Sequence, residues 1–295
     1  MGLIDRFRHE PEEEERVTDL SDPGNIRRAL WLDQFEVHYQ PIVDVESGAL
    51  AGIEALVRWE HPDIGLIPAQ RFVPVAERAG LLLPIDVDTL RTASEFRRDL
   101  AVDESQLRIT INLAETELLR PELVDMLRQV LDQTGLPTDH LEVELSEGAL
   151  QADAATITAT VRKLHEAGIA ISIDDFGSDE ELQKLVHKLP VDRVKVDLSP
   201  VPVPLIGDPT DEKIKEYLRQ RHDAETAIER AVVQAQSWGL DIGAKSAESI
   251  EHLRLLRDMD IKRAQGFVLG RPVSQEKFGK NDSIIKEVAA LKETA

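Results

Sequence analysis

The sequence predicts an α/β fold in which mostly parallel strands close into a (β/α) barrel. From about Leu30 onward, strand-like and helix-like segments alternate along the chain. Repeated βα units indicate a parallel sheet, and their number favours a closed barrel over an open sheet. The predicted strands also have one apolar and one polar face, whereas a fully buried parallel strand is apolar on both faces. The polar faces therefore suggest a functional site.

The clearest elements lie in the middle of the chain. Residues 107–113 and 141–146 alternate apolar and polar side chains, which is typical of strands. Residues 121–134 place leucine and valine at helical spacing and stop at Gly135, and a second helix stops at Gly168. Further strands are predicted at residues 169–174, 194–197, 240–245 and 264–269.

Five of these segments carry polar residues opposite their apolar face. In residues 52–58, the alternate positions include Glu54, Leu56 and Arg58. If the apolar faces meet the helices, the polar side chains point into the barrel near the carboxyl ends of the strands, where barrel enzymes place their active sites. The other polar residues of this kind are Asn112, Glu142, Glu144, Asp174, Lys195 and Asp197.

These residues have the chemistry of a divalent-metal site. Glu54, Asn112, Glu144, Asp174 and Asp175 are all oxygen donors, and four converging carboxylates cannot all ionise without cations. Mg²⁺, Mn²⁺ and Ca²⁺ match oxygen-only ligands. Two such ions about 3.5–4 Å apart are a recurring device for phosphodiester hydrolysis. A lysine such as Lys195 would orient a water or neutralise a phosphoryl oxygen.

Composition excludes several other classes of protein. The 295 residues carry 56 Asp and Glu against 35 Lys and Arg, a net charge of −21, which argues against binding duplex nucleic acid. No apolar run approaches the roughly 18 residues that span a bilayer. The chain has no cysteine, which fits a cytoplasmic protein. Residues 1–25 are predicted to be an acidic, flexible N-terminal segment.

The motifs resemble those of the EAL domain family, bacterial phosphodiesterases and receptors for cyclic di-GMP. The signature stands at residues 54–56, and residues 39–43 match the family's opening strand. Residues 111–114, 144–147, 173–177, 194–197 and 265–272 continue the family's motifs in order, so that the resemblance covers residues 26–273. It implies a TIM-like (β/α)8 barrel variant with an antiparallel first strand over residues 26–278, followed by a helical tail at 279–295.

The resemblance also assigns roles by position. It implies Mg²⁺ or Mn²⁺ bound by Glu54, Asn112, Glu144, Asp174 and Asp175. Lys195 would meet the catalytic water, Glu147 would support the metal-site loop, and Gln265 would contact the water or the phosphate. Arg58 would bind a phosphate of cyclic di-GMP, which suits a guanidinium. Gln40, Leu56 and Asp197 would contact the nucleotide near its guanines.

Two departures from the family pattern bear on activity. The family's AEGVE motif places a glutamate beside the second metal, and here that position is Lys245. Replacing a carboxylate with an ammonium changes the local charge by two units, which could abolish one metal site or all metal binding. The family's Gly- and Ser-rich loop after IDDFG is replaced by residues 178–182, where Ser178 and Glu181 form a capping-box pattern that predicts the start of a helix.

Three functions are consistent with this pattern. The first is a degenerate EAL domain that binds cyclic di-GMP or a signalling partner with little or no hydrolysis. The second is an active metal-dependent phosphodiesterase that produces linear pGpG. The third is a protein-interaction scaffold without nucleotide binding. A homodimer or a signalling protein is the expected macromolecular partner, and the expected location is the cytoplasm.

Overall fold

Ten strands alternate with helices in the part of the chain that the structure, a computed structural model, describes: residues 20–100, 107–151, 153–177, 179–203 and 210–280. The strands are β1 Phe35–Asp44, β2 Leu50–His61, β3 Gly65–Pro68, β4 Arg108–Leu113, β5 Leu141–Ser146, β6 Ala170–Asp174, β7 Arg193–Asp197, β8 Asp241–Lys245, β9 Arg263–Ala264 and β10 Val273–Ser274.

Eight strands close into a barrel in the order β1-β9-β8-β7-β6-β5-β4-β2, and β2 pairs with β1 again. Neighbouring strands from β2 round to β9 are parallel, whereas β1 is antiparallel to both β2 and β9. The short strands β3 and β10 extend the sheet at β2 and β1. The predicted barrel with an antiparallel first strand is therefore confirmed.

Helices cover the outside of the barrel because the outward strand residues are apolar. Val143 and Ile171 on adjacent strands are fully buried, as is Leu127 of the helix over residues 123–134. That helix ends at Gly135, whose φ of +73° is the left-handed conformation that glycine adopts without strain. The helices are α1 Pro23–Trp31, α2 Ala69–Arg78, α3 Leu82–Asp99, α4 Glu115–Leu118, α5 Leu123–Thr134, α6 Ala154–Glu166, α7 Glu180–Val186, α8 Asp211–Ser237, α9 Ile250–Asp258 and α10 Gln275–Lys280.

The strand predicted at residues 264–269 is wrong. β9 ends at Ala264, and the chain then turns across the mouth of the barrel. A crossing with the segment at Ala247 causes this change: Ala247 N donates to Gln265 O at 3.0 Å, and Val268 N donates to Ala247 O at 3.1 Å. Only glycine fits at position 266, because a Cβ there would lie 2.1 Å from Ala247 O.

The segment after IDDFG does become helical, as predicted, but its cap differs. α7 begins at Glu180, and the side chain of Asp179 accepts from Glu181 N at 2.8 Å and from Leu182 N at 3.3 Å. The N-cap is therefore Asp179, and Ser178 lies outside the described residues. Of the flexible segment predicted at 1–25, residues 1–19 lie outside the described residues, whereas Leu20 is buried and α1 already begins at Pro23. Of the tail predicted at 279–295, residues 281–295 lie outside them.

Among the described helices, none is long and apolar enough to cross a membrane.

Candidate functional site

Several of the predicted polar residues meet at one mouth of the barrel. Glu142 does not: it lies near the start of β5 and pairs with Arg193 at the start of β7, away from the carboxyl ends of the strands. A cavity of about 230 Å³ opens at this mouth, at the carboxyl ends of the parallel strands. Phe267 stands at its rim with 48% of its surface exposed, and the guanidinium carbon of Arg271 lies 4.1 Å from the centroid of that ring. The residues that line the cavity are Gln40, Glu54, Leu56, Glu144, Asp174, Lys245, Ser246, Glu248, Gln265, Gly266 and Phe267.

Glu54 is held by amide groups on both carboxylate oxygens. Asn112 Nδ2 donates to Glu54 Oε1 at 2.7 Å, and Gln265 Nε2 donates to Glu54 Oε2 at 2.5 Å. Gln265 Nε2 also donates to Gln40 Oε1 at 2.7 Å, while Gln40 Nε2 donates to the carbonyl of Gly270 at 3.0 Å. These bonds connect the antiparallel strand β1, the neighbouring β2 and β4, and the turn after β9. They fix the orientation of the Glu54 carboxylate.

Lys195 and Glu144 form a buried ion pair inside the barrel. Lys195 Nζ donates to Glu144 Oε2, and the side chains are 5% and 3% exposed. Burial by itself would lower the pKa of Lys195, but the charges of Glu144 and Glu54 raise it above its usual range. The ammonium therefore stays charged at neutral pH and neutralises part of the carboxylate charge that the sequence places in the barrel.

Lys245 connects the two adjacent aspartates. Its Nζ lies 2.7 Å from Asp174 Oδ2 and 2.8 Å from Asp175 Oδ1. Asp175 has a φ of +57° and Ser246 has a φ of +61°, a backbone conformation that costs energy for residues other than glycine. The strained turns follow the ends of β6 and β8 and bring the three charged groups together. Partial burial acts to lower the pKa of Lys245, but the hydrogen bonds and charges of Asp174 and Asp175 raise it.

The residues predicted to contact the nucleotide lie at different distances from this site. Leu56 lines the cavity, whereas Arg58 lies farther along β2 and donates through Nη1 to the carbonyl of Val57 at 2.9 Å. Asp197 accepts from Ser199 N at 2.9 Å, and its pKa is lowered by Ser199, Ser246 and the charge of Lys245, against the opposing effect of burial. Asp197 is therefore close to the Lys245 cluster and remains ionised.

Glu147 follows β5 directly and is 1% exposed, which is consistent with a supporting position beneath the site.

The residues present fit one divalent ion better than two. In the described part of the chain, no three histidine, aspartate or glutamate side chains are arranged to hold a metal ion by themselves. Lys195 pairs with Glu144, and Lys245 pairs with Asp174 and Asp175. Within the same residues, Asp174 Oδ1 is buried without a hydrogen-bond partner and is available to a cation beside Glu54, Asn112 and Glu144. Between Asp174 and Asp175, in contrast, the ammonium of Lys245 already stands where a second cation would have to bind.

Strand periodicity did not identify two acidic residues beside the site. Asp86 on α3 and Glu117 on α4 line a second, larger cavity of about 490 Å³ that shares Leu56, Glu144 and Asp174 with the first. Both are helical residues, so the strand argument did not consider them. The available signal was an aspartate within the otherwise apolar run at residues 81–87.

Comparison with models of protein families shows which family the chain belongs to. The family model described as the EAL domain matches residues 24–272. The chain belongs to the EAL domain family. An uncharacterized signaling protein of Caulobacter vibrioides is 36% identical over 249 residues, which are 84% of this chain and 29% of that protein. The cyclic di-GMP phosphodiesterase NbdA of Pseudomonas aeruginosa is 34% identical over 86% of this chain and 31% of its own length. This EAL chain thus spans about a third of these relatives.

Solved structures agree with the EAL barrel. The phosphodiesterase PaMucR in complex with c-di-GMP has a TM-score of 0.75 and 30% identity, and the match covers 87% of this chain and 98% of that one. The EAL domain of FimX from Pseudomonas aeruginosa, bound to c-di-GMP, has a TM-score of 0.71 at 20% identity over 88% and 96% of the two chains. The likeness to FimX concerns the fold alone.

Proposed function

We propose that this EAL domain is a receptor that binds cyclic di-GMP with little or no hydrolysis. The observation that supports this function is the position of Lys245 Nζ, 2.7 Å from Asp174 Oδ2 and 2.8 Å from Asp175 Oδ1. Hydrolysis of a phosphodiester by the two-ion route needs cations that activate water and stabilise both the attacking and the leaving oxygen. An ammonium supplies a positive charge but has no open coordination position for a water.

Lys245 still favours binding of an anionic dinucleotide. The Lys245 side chain is 26% exposed and lines the cavity, so its ammonium can meet a phosphate oxygen while it remains paired with the aspartates. Arg58, half-buried farther along β2, is a second cation on the strand that carries Glu54, in a protein whose net charge is −21. Binding of a phosphate depends on such local cations rather than on the net charge of the whole protein. Nucleotide binding by the relative PaMucR, shown in its complex, supports the choice of ligand.

An active phosphodiesterase is the second candidate, and one observation favours it. Glu54, Asn112, Glu144 and Asp174 are all present, and within the described residues Asp174 Oδ1 is buried without a partner. These four side chains would hold one Mg²⁺ or Mn²⁺, which would polarise a phosphoryl oxygen. Weak hydrolysis with a single ion would then remain. A homodimer or a signalling-protein partner, and a cytoplasmic location, stay predictions.

Two assays on the purified protein separate these functions. Calorimetry would measure cyclic di-GMP binding with EDTA and with Mg²⁺ or Mn²⁺ present, and chromatography would follow linear pGpG. We expect binding that survives EDTA and no turnover. Turnover with either metal would support the phosphodiesterase, and the absence of both binding and turnover would support the scaffold.

A further inference from the structure

The most exposed large apolar side chain that the structure describes lies at the end of α1. Trp31 is 87% exposed, and the next residue, Leu32, is 53% exposed. Ile26 and Ala29, on the opposite side of the helix, are fully buried, so α1 itself is firmly packed. Because tryptophan is highly buried on average, an exposed one beside a second apolar side chain indicates a surface that binds something.

Two arginines share the exposed face of α1 with Trp31. Arg27 and Arg28 precede Trp31 by four and three residues, and residues at these spacings are neighbours on one side of a helix. Both side chains are exposed, and Arg28 Nη2 donates to the amide oxygen of Asn25. Among the described residues, neither guanidinium has a carboxylate within ion-pair distance. Tryptophan and arginine are the residues that contribute most to binding at protein interfaces.

The segment that precedes α1 has the complementary chemistry. Residues 1–19 lie outside the described residues, but their sequence contains an apolar group, Leu3, Ile4 and Phe7, followed by four consecutive glutamates at 12–15. The apolar group matches an exposed indole ring, and carboxylates form charge-assisted hydrogen bonds with guanidinium groups.

The order and the length of the segment also match this face. α1 has nine residues, so its two ends are about 13 Å apart. Twelve residues lie between Phe7 and Leu20, and an extended chain spans about 3.3–3.6 Å per residue. A chain that runs back from Leu20 along α1 therefore brings its glutamates to the two arginines first, and its apolar group then reaches Trp31.

We propose that residues 3–15 dock on the exposed face of α1, with the apolar group against Trp31 and Leu32 and the glutamates against Arg27 and Arg28. The short tether holds the segment at an effective concentration on the order of millimolar. A second copy of the chain would instead have to approach against the repulsion between two molecules of net charge −21. The docking face is separate from the cavity at the barrel mouth and is independent of the proposed function.

The fluorescence of Trp31 in the full chain tests this contact. The other two tryptophans are the buried Trp59 and the half-buried Trp238, so the difference between the wild type and Trp31→Phe isolates the signal of Trp31. We expect the emission of a shielded indole, and quenching by acrylamide at least about twofold weaker than in Phe7→Ser, because the tether keeps most molecules docked. Phe7→Leu, which keeps an apolar side chain, should retain most of the protection.

The charged half of the contact has its own variant. Replacing all four glutamates at 12–15 with glutamine should expose Trp31 to acrylamide, and about 1 M NaCl should do the same to the wild type. The matched control removes the same charge from four exposed glutamates elsewhere on the surface and should leave Trp31 protected. These control substitutions are Glu46→Gln, Glu122→Gln, Glu166→Gln and Glu229→Gln.

Disulfide formation gives a second, independent measurement, because the chain has no cysteine of its own. A disulfide requires Cα atoms within about 7 Å of each other, so Phe7→Cys combined with Leu32→Cys should cross-link rapidly within one chain under mild oxidation. The same cysteine pair with glutamine at 12–15 keeps the tether but loses the docking, and it should cross-link several times more slowly.

Thermal unfolding checks that each variant is folded. Three results would overturn the inference: a Trp31 signal that acrylamide quenches fully in the wild type, protection that increases with protein concentration and so belongs to a second copy, and a blue shift that appears only with phosphatidylglycerol vesicles. Equal cross-linking rates with and without the glutamates would also contradict it. Each of these outcomes leaves the proposed function intact, because binding of cyclic di-GMP is measured separately.

Discussion

Lys245 has larger consequences than any other single residue of the site. It places an ammonium between two aspartates, and a glutamate at this position would change the local charge by two units, from +1 to −1. At about 4 Å and an effective dielectric constant near 20, a pair of unit charges interacts by about 4 kcal/mol. Lys245→Glu should therefore strengthen Mn²⁺ binding, measured by calorimetry, and permit slow hydrolysis of cyclic di-GMP. The hydrolysis should stay slow because α7 replaces the loop that the family places after IDDFG.

Lys245→Met is the matched control for this substitution. It removes the ammonium without adding a metal ligand, so metal binding should improve less than in Lys245→Glu. A wild type that turns over at about 1 s⁻¹ or more, with no gain in Lys245→Glu, would show that Lys245 does not block catalysis. The phosphodiesterase would then replace the receptor as the proposed function.

Arg58 is the second residue with a testable contribution. Its side chain is half-buried beside Glu54 and Glu36, and Nη1 donates to the carbonyl of the preceding residue, Val57. The guanidinium can turn from this carbonyl towards a phosphate. Arg58→Ala should weaken cyclic di-GMP binding by about 1.5–3 kcal/mol, the range for a hydrogen bond to a charged group. Exposed Arg71→Ala is the control, and equal affinities of the two variants would remove Arg58 from the site.

At the level of elements, the turn after β9 is the most constrained connection. A Cβ on Gly266 would lie 2.1 Å from Ala247 O and 2.2 Å from Ala247 N, so Gly266→Ala must push the two segments apart. The expected loss of stability is about 1–3 kcal/mol, measured by urea unfolding. Cyclic di-GMP affinity should also fall, because neighbouring Gln265 orients Glu54.

Gly148→Ala is the matched control for the turn, since a Cβ on Gly148 meets nothing within 4 Å. Its stability and ligand affinity should stay near those of the wild type. Equal stability of Gly266→Ala and Gly148→Ala would contradict the close crossing at Ala247.

At the level of the whole molecule, buried ion pairs occupy the inside of the barrel. Besides the pair at Lys195, Arg193 is 6% exposed and bonds to Glu142, while its Nη2 lies 2.9 Å from Asp241 Oδ2. Arg193→Met would remove the close partner of the buried Glu142 carboxylate and leave it with Arg108 at 3.8 Å and the charge of Lys195. Because removal of one partner leaves a buried charge without compensation, the free energy of unfolding should fall by about 3–5 kcal/mol, measured by chemical unfolding.

Arg91→Met is the control for this loss, since the Arg91–Asp88 pair is exposed and such pairs contribute at most about 1 kcal/mol. Combining Arg193→Met with Glu142→Leu should recover part of the stability, because the second substitution removes the uncompensated carboxylate. Similar losses for Arg193→Met and Arg91→Met would show that the interior pair does not matter for folding.

Much of the barrel was predictable from local pattern. The strands at residues 141–146 and 194–197 appear where alternation predicts them, because successive side chains of a strand point to opposite faces. Helix ends such as Gly135 were also predictable from backbone preference. The strand prediction failed at residues 265–269, where the chain crosses the barrel mouth instead of continuing β9. Contacts with Ala247, distant in sequence, decide that turn.

The sequence alone determined which side chains meet at the mouth of the barrel, because strand period and strand order bring Glu54, Glu144 and Asp174 to one end. The tertiary structure decided how their charges are paired. Lys245 lies 71 residues from Asp174 in the chain, and its ammonium reaches both aspartates only through the strained turns after β6 and β8. Asp86 and Glu117 likewise come from two separate helices and line one cavity. Such pairings depend on distances between separate elements and on burial, and neither property is encoded in local periodicity.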